Sequence, residues 1–290
     1  LQQDFEVREV PLASETIDSD LDLLVLIHPK DISQVAQFAV DQYLLGGGKV
    51  AAFLDPLAIV DQTPSPNGNN MMGPPPSSSS LDSLLAAWGL EFDTSKVVAD
   101  RAFAREIAFQ RGAQPQMQPC FLFLDEQGIN SEDVVTGQTD QLMLPFPGGF
   151  TGTPVEGLEK KVLLHSTGQS QLVDAFMARL SGEQVLKDFK PSEKEYDLAM
   201  RLTGQFKTAF PDGKPGASTA EEDLDSEDPQ PPSPEALKKS VKDGAVLLFA
   251  DADFLFDSFG VSQQNFLGAR MVQLLNGNIP LVQASVEYMA

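Results

Sequence analysis

The sequence predicts an α/β fold. Three features carry that expectation: short, almost uninterrupted apolar runs, amphipathic stretches between them, and glycine or Asp-Pro punctuation at their ends. An apolar run of four to eight residues suits a strand buried on both faces, as in a sheet layered with helices. A long alternating stretch late in the chain adds an antiparallel portion to that sheet.

Residues 22–27 (DLLVLI) read as the first buried strand. Asp31 or Ser33 can cap the helix that follows, where Val35, Phe38, Ala39 and Leu45 keep helical spacing and Gln42 is the exception. Gly46-Gly47-Gly48 stops it, because glycine takes the left-handed conformation at a helix end without steric cost. Residues 49–54 (KVAAFL) form a second buried strand closed by Asp55-Pro56. The unit is therefore βαβ, with parallel strands and a right-handed crossover.

Further on, residues 81–88 (LDSLLAAW) make a short helix ended by Gly89, and a strand follows at 96–99. Residues 120–124 (CFLFL) and 161–165 (KVLLH) are strands by the same reasoning. Leu172, Phe176 and Leu180, spaced four apart, predict a helix over 171–180. Alternation across 196–210 (YDLAMRLTGQFKTAF) predicts an extended antiparallel segment. Residues 244–250 (GAVLLFA) are the last strong buried strand, and 262–275 the last helix.

Two low-complexity stretches divide this pattern. Residues 61–80 (DQTPSPNGNNMMGPPPSSSS) are built from Pro, Gly, Asn and Ser, which sustain neither a helix nor a ladder. Residues 211–235 hold eight acids and one lysine, too few apolar groups to bury themselves. The expected organisation is an α/β core over 1–60 and 81–180, interrupted by a flexible loop at 61–80. Residues 181–290 continue it as a smaller α+β portion, with the antiparallel segment, a disordered acidic loop at 211–235, and a closing strand and helix over 244–276.

Charge narrows the function. With 20 Lys and Arg against 42 Asp and Glu in 290 residues, the net charge is −22. Nucleic acid is excluded as a partner, since phosphate binding needs clustered cations to release counterions. Docking on anionic lipid through a basic patch is excluded for the same reason. The single cysteine, Cys120, rules out an internal disulfide and any cysteine-built metal centre, and suits the cytosol or the bacterial periplasm equally. No run approaches the ~20 apolar residues that cross a bilayer. The chain starts at Leu1 with no signal peptide, as expected of an excised piece or a processed product.

Ligands of open α/β sheets bind beyond the carboxyl ends of the strands. Those ends carry His28, Asp55, Asp251 and Asp253, the candidate ligand-binding residues. Asp251, Asp253 and Asp257 have the oxygen chemistry of a hard-cation site but lack the glycine and glutamate of a calcium loop. Aspartates also end strands and cap turns by accepting backbone N–H bonds, which is the simpler role and leaves no metal expected. His28 and His165 are the only general-base candidates. No G-x-S-x-G or G-x-C-x-G elbow accompanies them, and Cys120 opens an apolar run that suits an inert buried thiol. Gly46-Gly47-Gly48 follows a helix instead of opening one, and Gly148–Gly152 is a loop, so neither cradles a phosphate. No cofactor is implied.

The stretch DLLVLIHPKDISQVAQFAVDQYLLGGGKVAAFLDP, residues 22–56, resembles the GldG-like (gliding-motility type) family of ABC-transporter auxiliary proteins. Residues 84–100 (LLAAWGLEFDTSKVVAD), 198–210 (LAMRLTGQFKTAF) and 246–257 (VLLFADADFLFD) are similar to further segments of that family, in the same order. The resemblance implies a flavodoxin-like, glutamine-amidotransferase-like α/β fold with a mainly parallel sheet flanked by helices. True amidotransferases of that fold carry a cysteine at the strand-to-helix elbow. No elbow here has one, so the resemblance implies a non-catalytic relative.

It further implies an extracytoplasmic region of a membrane-anchored subunit on the periplasmic side of a bacterial inner membrane. Its partners would be an ABC-2-like permease and an ATPase, with a periplasmic protein or the transported ligand as a further contact. Membrane attachment would come through segments outside this sequence. The leading expectation is thus a binding or scaffolding domain, not an enzyme. The alternative is a small-ligand or carbohydrate binder, or a weak hydrolase, working at the strand-end groove. A third is an assembly domain whose Phe254, Leu255, Phe256 and Phe259 face a partner, unless those rings are core.

Overall fold

A computed structural model describes residues 4–61, 77–108, 114–216, 236–266 and 269–290. The elements run β1 (Leu24–Ile27), α1 (Gln34–Leu45), β2 (Lys49–Phe53), β3 (Asp55–Ala58), β4 (Ser77–Ser79), α2 (Asp82–Trp88), β5 (Leu90–Phe92), β6 (Lys96–Asp100), β7 (Arg105–Ile107), β8 (Gln116–Gln118) and β9 (Phe121–Leu124). Then come β10 (Leu142–Pro145), β11 (Phe150–Gly152), β12 (Leu158–His165), β13 (Ser170–Asp174), α3 (Ala175–Leu180), α4 (Gly182–Lys187), β14 (Asp197–Gly204) and β15 (Gly244–Phe249). The chain closes with α5 (Asp257–Gly260), β16 (Val261–Phe266), β17 (Ala269–Leu274) and α6 (Asn278–Met289).

The architecture is mixed α/β, mostly sheet with few helices. Its centre is a seven-stranded sheet in the order β1-β2-β15-β14-β11-β5, with β12 also paired to β14. The first two strands are parallel across α1, as the βαβ reading requires, and β15 adds to β2 in parallel. The four other pairings in this sheet are antiparallel. The mainly parallel sheet implied by the resemblance is therefore limited to three strands. The reason is β14, which receives β15 on one side and the β11 and β12 edges on the other, all running against it.

Strand periodicity sorts the apolar side chains onto two faces. Val50, Ala52, Val246 and Leu248 pack with Val40 and Leu44 of α1 and with Leu84, Leu85 and Trp88 of α2. Ala51, Phe53, Leu247 and Phe249 point the other way, onto Leu122, Leu144 and Leu281. Both faces are thus dry, which is why these strands read as continuous apolar runs.

Local signals hold in part. Ser33 caps α1, its hydroxyl accepting the Ala36 N–H at 3.1 Å. Ala39 and Leu45 are buried as expected, but the buried face of that helix also takes in Ala36, Val40, Tyr43 and Leu44, and Val35 and Phe38 are only partly covered. Gly47, not Gly46, takes the positive φ, +100°. Gly89 ends α2 at φ +80°, and a Cβ there would lie 2.3 Å from the Thr153 carbonyl oxygen.

Four expectations are corrected. Residues 77–79, inside the supposed loop 61–80, form β4 against β3; residues 62–76 lie outside the described residues. Residues 170–174 form a strand paired with β6, and the helix starts only where Asp174 caps it, accepting from Phe176 and Met177. Phe176 and Leu180 of the expected stripe are exposed, while Ala175 and Ala178 are buried. Phe150–Gly152 is a strand instead of loop. Residues 262–275 form most of the β16–β17 hairpin, and the last helix is α6. Leu267, Met271, Leu274 and Leu275 have helical spacing, but Gly268 interrupts that run, and Phe266 pairs with Ala269 in an antiparallel ladder. The acidic residues 217–235 lie outside the described residues.

Leu248 is fully buried between α1, α2 and the central strands. Leu248→Ala is expected to cost about 2–5 kcal/mol, the range for deleting a leucine side chain from a close-packed core. Equilibrium unfolding in urea measures it.

Candidate functional site

Because β1, β2 and β15 are parallel neighbours, their carboxyl ends share one edge of the sheet. Asp55 follows β2, and Asp251 and Asp253 follow β15, so the topology brings these three together. All three are buried, at 0%, 1% and 1% exposure.

Their oxygens are engaged with backbone. Asp55 Oδ1 accepts the Leu57 N–H at 2.8 Å, and Oδ2 accepts those of Ala252 at 3.0 Å and Asp253 at 3.3 Å. Asp253 answers in the other direction, accepting from Ile59 at 2.7 Å and Val60 at 3.3 Å. The pair is a reciprocal clasp between the chain leaving β2 and the chain leaving β15. Asp251 Oδ1 accepts from Phe254 at 3.2 Å, whereas Oδ2 is buried with no partner among the described residues. Burial first, then the neighbouring carboxylates, holds Asp55 and Asp251 well above the usual carboxylate range. Burial pushes Asp253 up to about 6.

His28 belongs to an adjoining group. It sits just beyond β1 at φ +44°, a left-handed conformation uncommon outside glycine. Its Nε2 lies 2.9 Å from Ser77 Oγ and 3.6 Å from Asp61 Oδ2. The Ser77 hydroxyl donates to Asp61, whose carboxylate also holds Lys30 Nζ at 3.0 Å. With the serine proton directed at Asp61, Nε2–H of a neutral His28 donates to Ser77, the reverse of what a base activating a serine requires. Burial lowers the His28 pKa, and its Nδ1 is buried without a partner among the described residues.

Asp61 raises the Asp253 pKa through space and so links the two groups. Asp61, Ser77 and Ser79 escaped the sequence reading because 61–80 carries no hydrophobic periodicity, and Lys30 with them because its partner is Asp61. The one available signal was the apolar continuation Pro56-Leu57-Ala58-Ile59 past Asp55.

The remaining candidates stand apart. Asp257 is exposed and does not join the three buried aspartates. No group of three or more His, Cys, Asp or Glu among the described residues is arranged to hold a metal ion. His165, at the end of β12, donates from Nδ1 to the Ser166 carbonyl at 3.0 Å. Cys120 is buried, and burial pushes its thiol up, away from the thiolate a nucleophile needs. Phe254 is core, while Phe256 is exposed at 49%.

A cavity of about 650 Å³ lies at the opposite edge of the parallel strands, not at the expected one. Phe38, Tyr43, Gly47, Lys49, Leu237 and Lys242 contribute to its wall. Lys49 Nζ donates to the Met289 carbonyl at 2.6 Å, tying the end of α6 to this edge. A smaller apolar cavity of about 120 Å³ is lined by Phe254, Leu255, Ile279 and Val282. Neither is lined by His28, Asp55, Asp251 or Asp253.

The fold and this edge define a mixed α/β domain in which buried carboxylates fasten strand ends to one another. A family model described as "ABC-type uncharacterized transport system" matches residues 1–285. The chain belongs to this family of ABC-transporter auxiliary proteins, and its role is accessory to an ABC transport system. No match was found among curated proteins or among solved structures. No helix among the described residues is long and apolar enough to cross a membrane.

The clasp carries a pH signature. An unfolded Asp253 releases its proton near 3.8, whereas the folded one holds it to about 6. The stability from this group is complete below pH 3.8 and is lost as the pH rises through 6, by on the order of 3 kcal/mol. Urea unfolding at pH 4 to 7 should show that fall, and Asp253→Asn should flatten its slope.

Proposed function

We propose that this chain is the non-catalytic, extracytoplasmic binding or scaffolding domain of an auxiliary subunit in an ABC-2-like transport system. The subunit is of the GldG-like, gliding-motility type, with a fold related to the glutamine amidotransferases. It works on the periplasmic side of a bacterial inner membrane, held there by membrane segments outside this sequence. Permease and ATPase subunits are its partners.

Within the family assignment, the observation that carries this reading is how the carboxylates at the strand ends are used. In an α/β enzyme that edge presents reactive groups to a cleft. Here Asp55 and Asp253 accept five backbone N–H bonds between them, and the serine beside His28 donates its proton to a carboxylate. The edge is organised to stay closed.

The small-ligand or hydrolase alternative finds no comparable support there, since both cavities described above lie elsewhere. In cells producing the full-length subunit, this domain is expected to be reached by protease from the periplasmic side only. The permease and ATPase should co-purify with the subunit. Deleting the domain should abolish transport or assembly while the ATPase still hydrolyses ATP. A cytosolic domain, or a subunit that captures neither partner, would sink the reading.

A further inference from the structure

The β16–β17 hairpin pairs with no other strand among the described residues. A lone two-stranded hairpin is marginal in water, so an arm of this kind gains stability from whatever covers it. On β17, Met271, Val272 and Leu274 are exposed at 59%, 59% and 51%, although they are apolar and lie on both faces of the strand. At the base of the arm, Leu275, Phe256 and Ile279 are exposed as well, which makes the patch continuous with α5 and the start of α6. A contiguous exposed apolar patch of this kind marks an interaction site.

Charge selects the occupant. Between Asp257 and Glu287 the 29 intervening residues hold a single charge, Arg270, in a chain that is 21% charged and carries −22 overall. An interface between two identical copies brings a patch against itself. On so acidic a protein, a patch that meets itself without like-charge repulsion must be almost free of acids, and this stretch is.

The backbone sets the register. Leu275 donates its N–H to the Gly260 carbonyl, continuing the ladder in which Leu274 faces Val261. Backbone groups alternate in direction along a strand, so residues 271, 273 and 275 point theirs at β16. Residues 270, 272 and 274 point theirs away, along the free edge.

We infer that two copies of this chain associate through the free edges of β17, antiparallel about a two-fold axis at Val272. That pairing joins the hairpins into a four-stranded sheet and uses the outward N–H and C=O groups of β17. Val272 faces Val272 of the second copy, and position 270 faces position 274, so no charged position meets itself. The edge strand, an aggregation liability when left open, is then closed.

Because Val272 is its own opposite number, a charge placed there meets the same charge. Sedimentation equilibrium of the 290-residue chain should show a species of twice the 31.4 kDa monomer mass. Val272→Lys and Val272→Glu should each raise the dimer dissociation constant at least 100-fold while leaving the circular dichroism spectrum unchanged, since the side chain is exposed. Mixing the two variants should restore a one-to-one dimer, as opposite charges then face each other. A wild-type chain that stays monomeric up to millimolar concentration would overturn the inference, and so would variants that dimerise as the wild type does. Failure of the mixed variants to pair would overturn the two-fold register.

Discussion

The parallel seam between β2 and β15 is the contact on which the remaining architecture rests. β15 stands between β2 and β14, so the βαβ unit meets the antiparallel half of the sheet only through it. Asp55 reaches the backbone of Ala252, 197 residues on, and Asp253 reaches back to Ile59 and Val60. Bringing such distant segments together costs loop-closure entropy that local structure cannot offset. Apolar burial on both faces of β2 and β15 supplies the gain, and the carboxylate clasp fixes where the strands end.

Buried carboxylates are an expensive way to fasten two loops. An ionised group in the interior loses its hydration, and three neighbouring ones repel. The fold offsets this with backbone N–H donors and with a raised proton affinity. The Asp251 oxygen that finds no partner among the described residues marks where compensation there is incomplete. Removing one member leaves backbone N–H groups stranded, which explains how a cluster costly in itself is nevertheless hard to dispense with.

Much of this fold is legible in residues 49–54 and 244–250, because a strand buried on both faces leaves an unbroken apolar run; β1 has the same run at the edge of the sheet, but there Val25 and Ile27 are exposed. The convergence of Asp55, Asp251 and Asp253 follows from the same runs, since parallel neighbours end at one edge. Their role is less visible: whether a carboxylate faces a cleft or a backbone N–H depends on the return of Ala252 to Asp55. Ser77 and Asp61 are silent for another reason. β4 is three serines whose partner strand contains Pro56, so neither pattern nor propensity announces the pairing. At 262–275, a helix-like spacing of leucines and methionine competes with the break at Gly268, and local pattern alone does not choose between helix and hairpin.

The distribution of charge separates two kinds of surface on this molecule. Apart from the acidic stretch 211–235, the excess of acids is spread along the rest of the chain, where repulsion keeps like bodies apart and favours solubility. The hairpin arm carries almost none and exposes apolar side chains instead. Two strands of six residues reach roughly 20 Å, beyond the ~8 Å over which charges act at physiological ionic strength. An arm of that length can make contacts while the acidic bodies stay screened from one another. The division suits an accessory subunit of a transport system: a body closed at its strand ends, and a separate, nearly neutral surface for association.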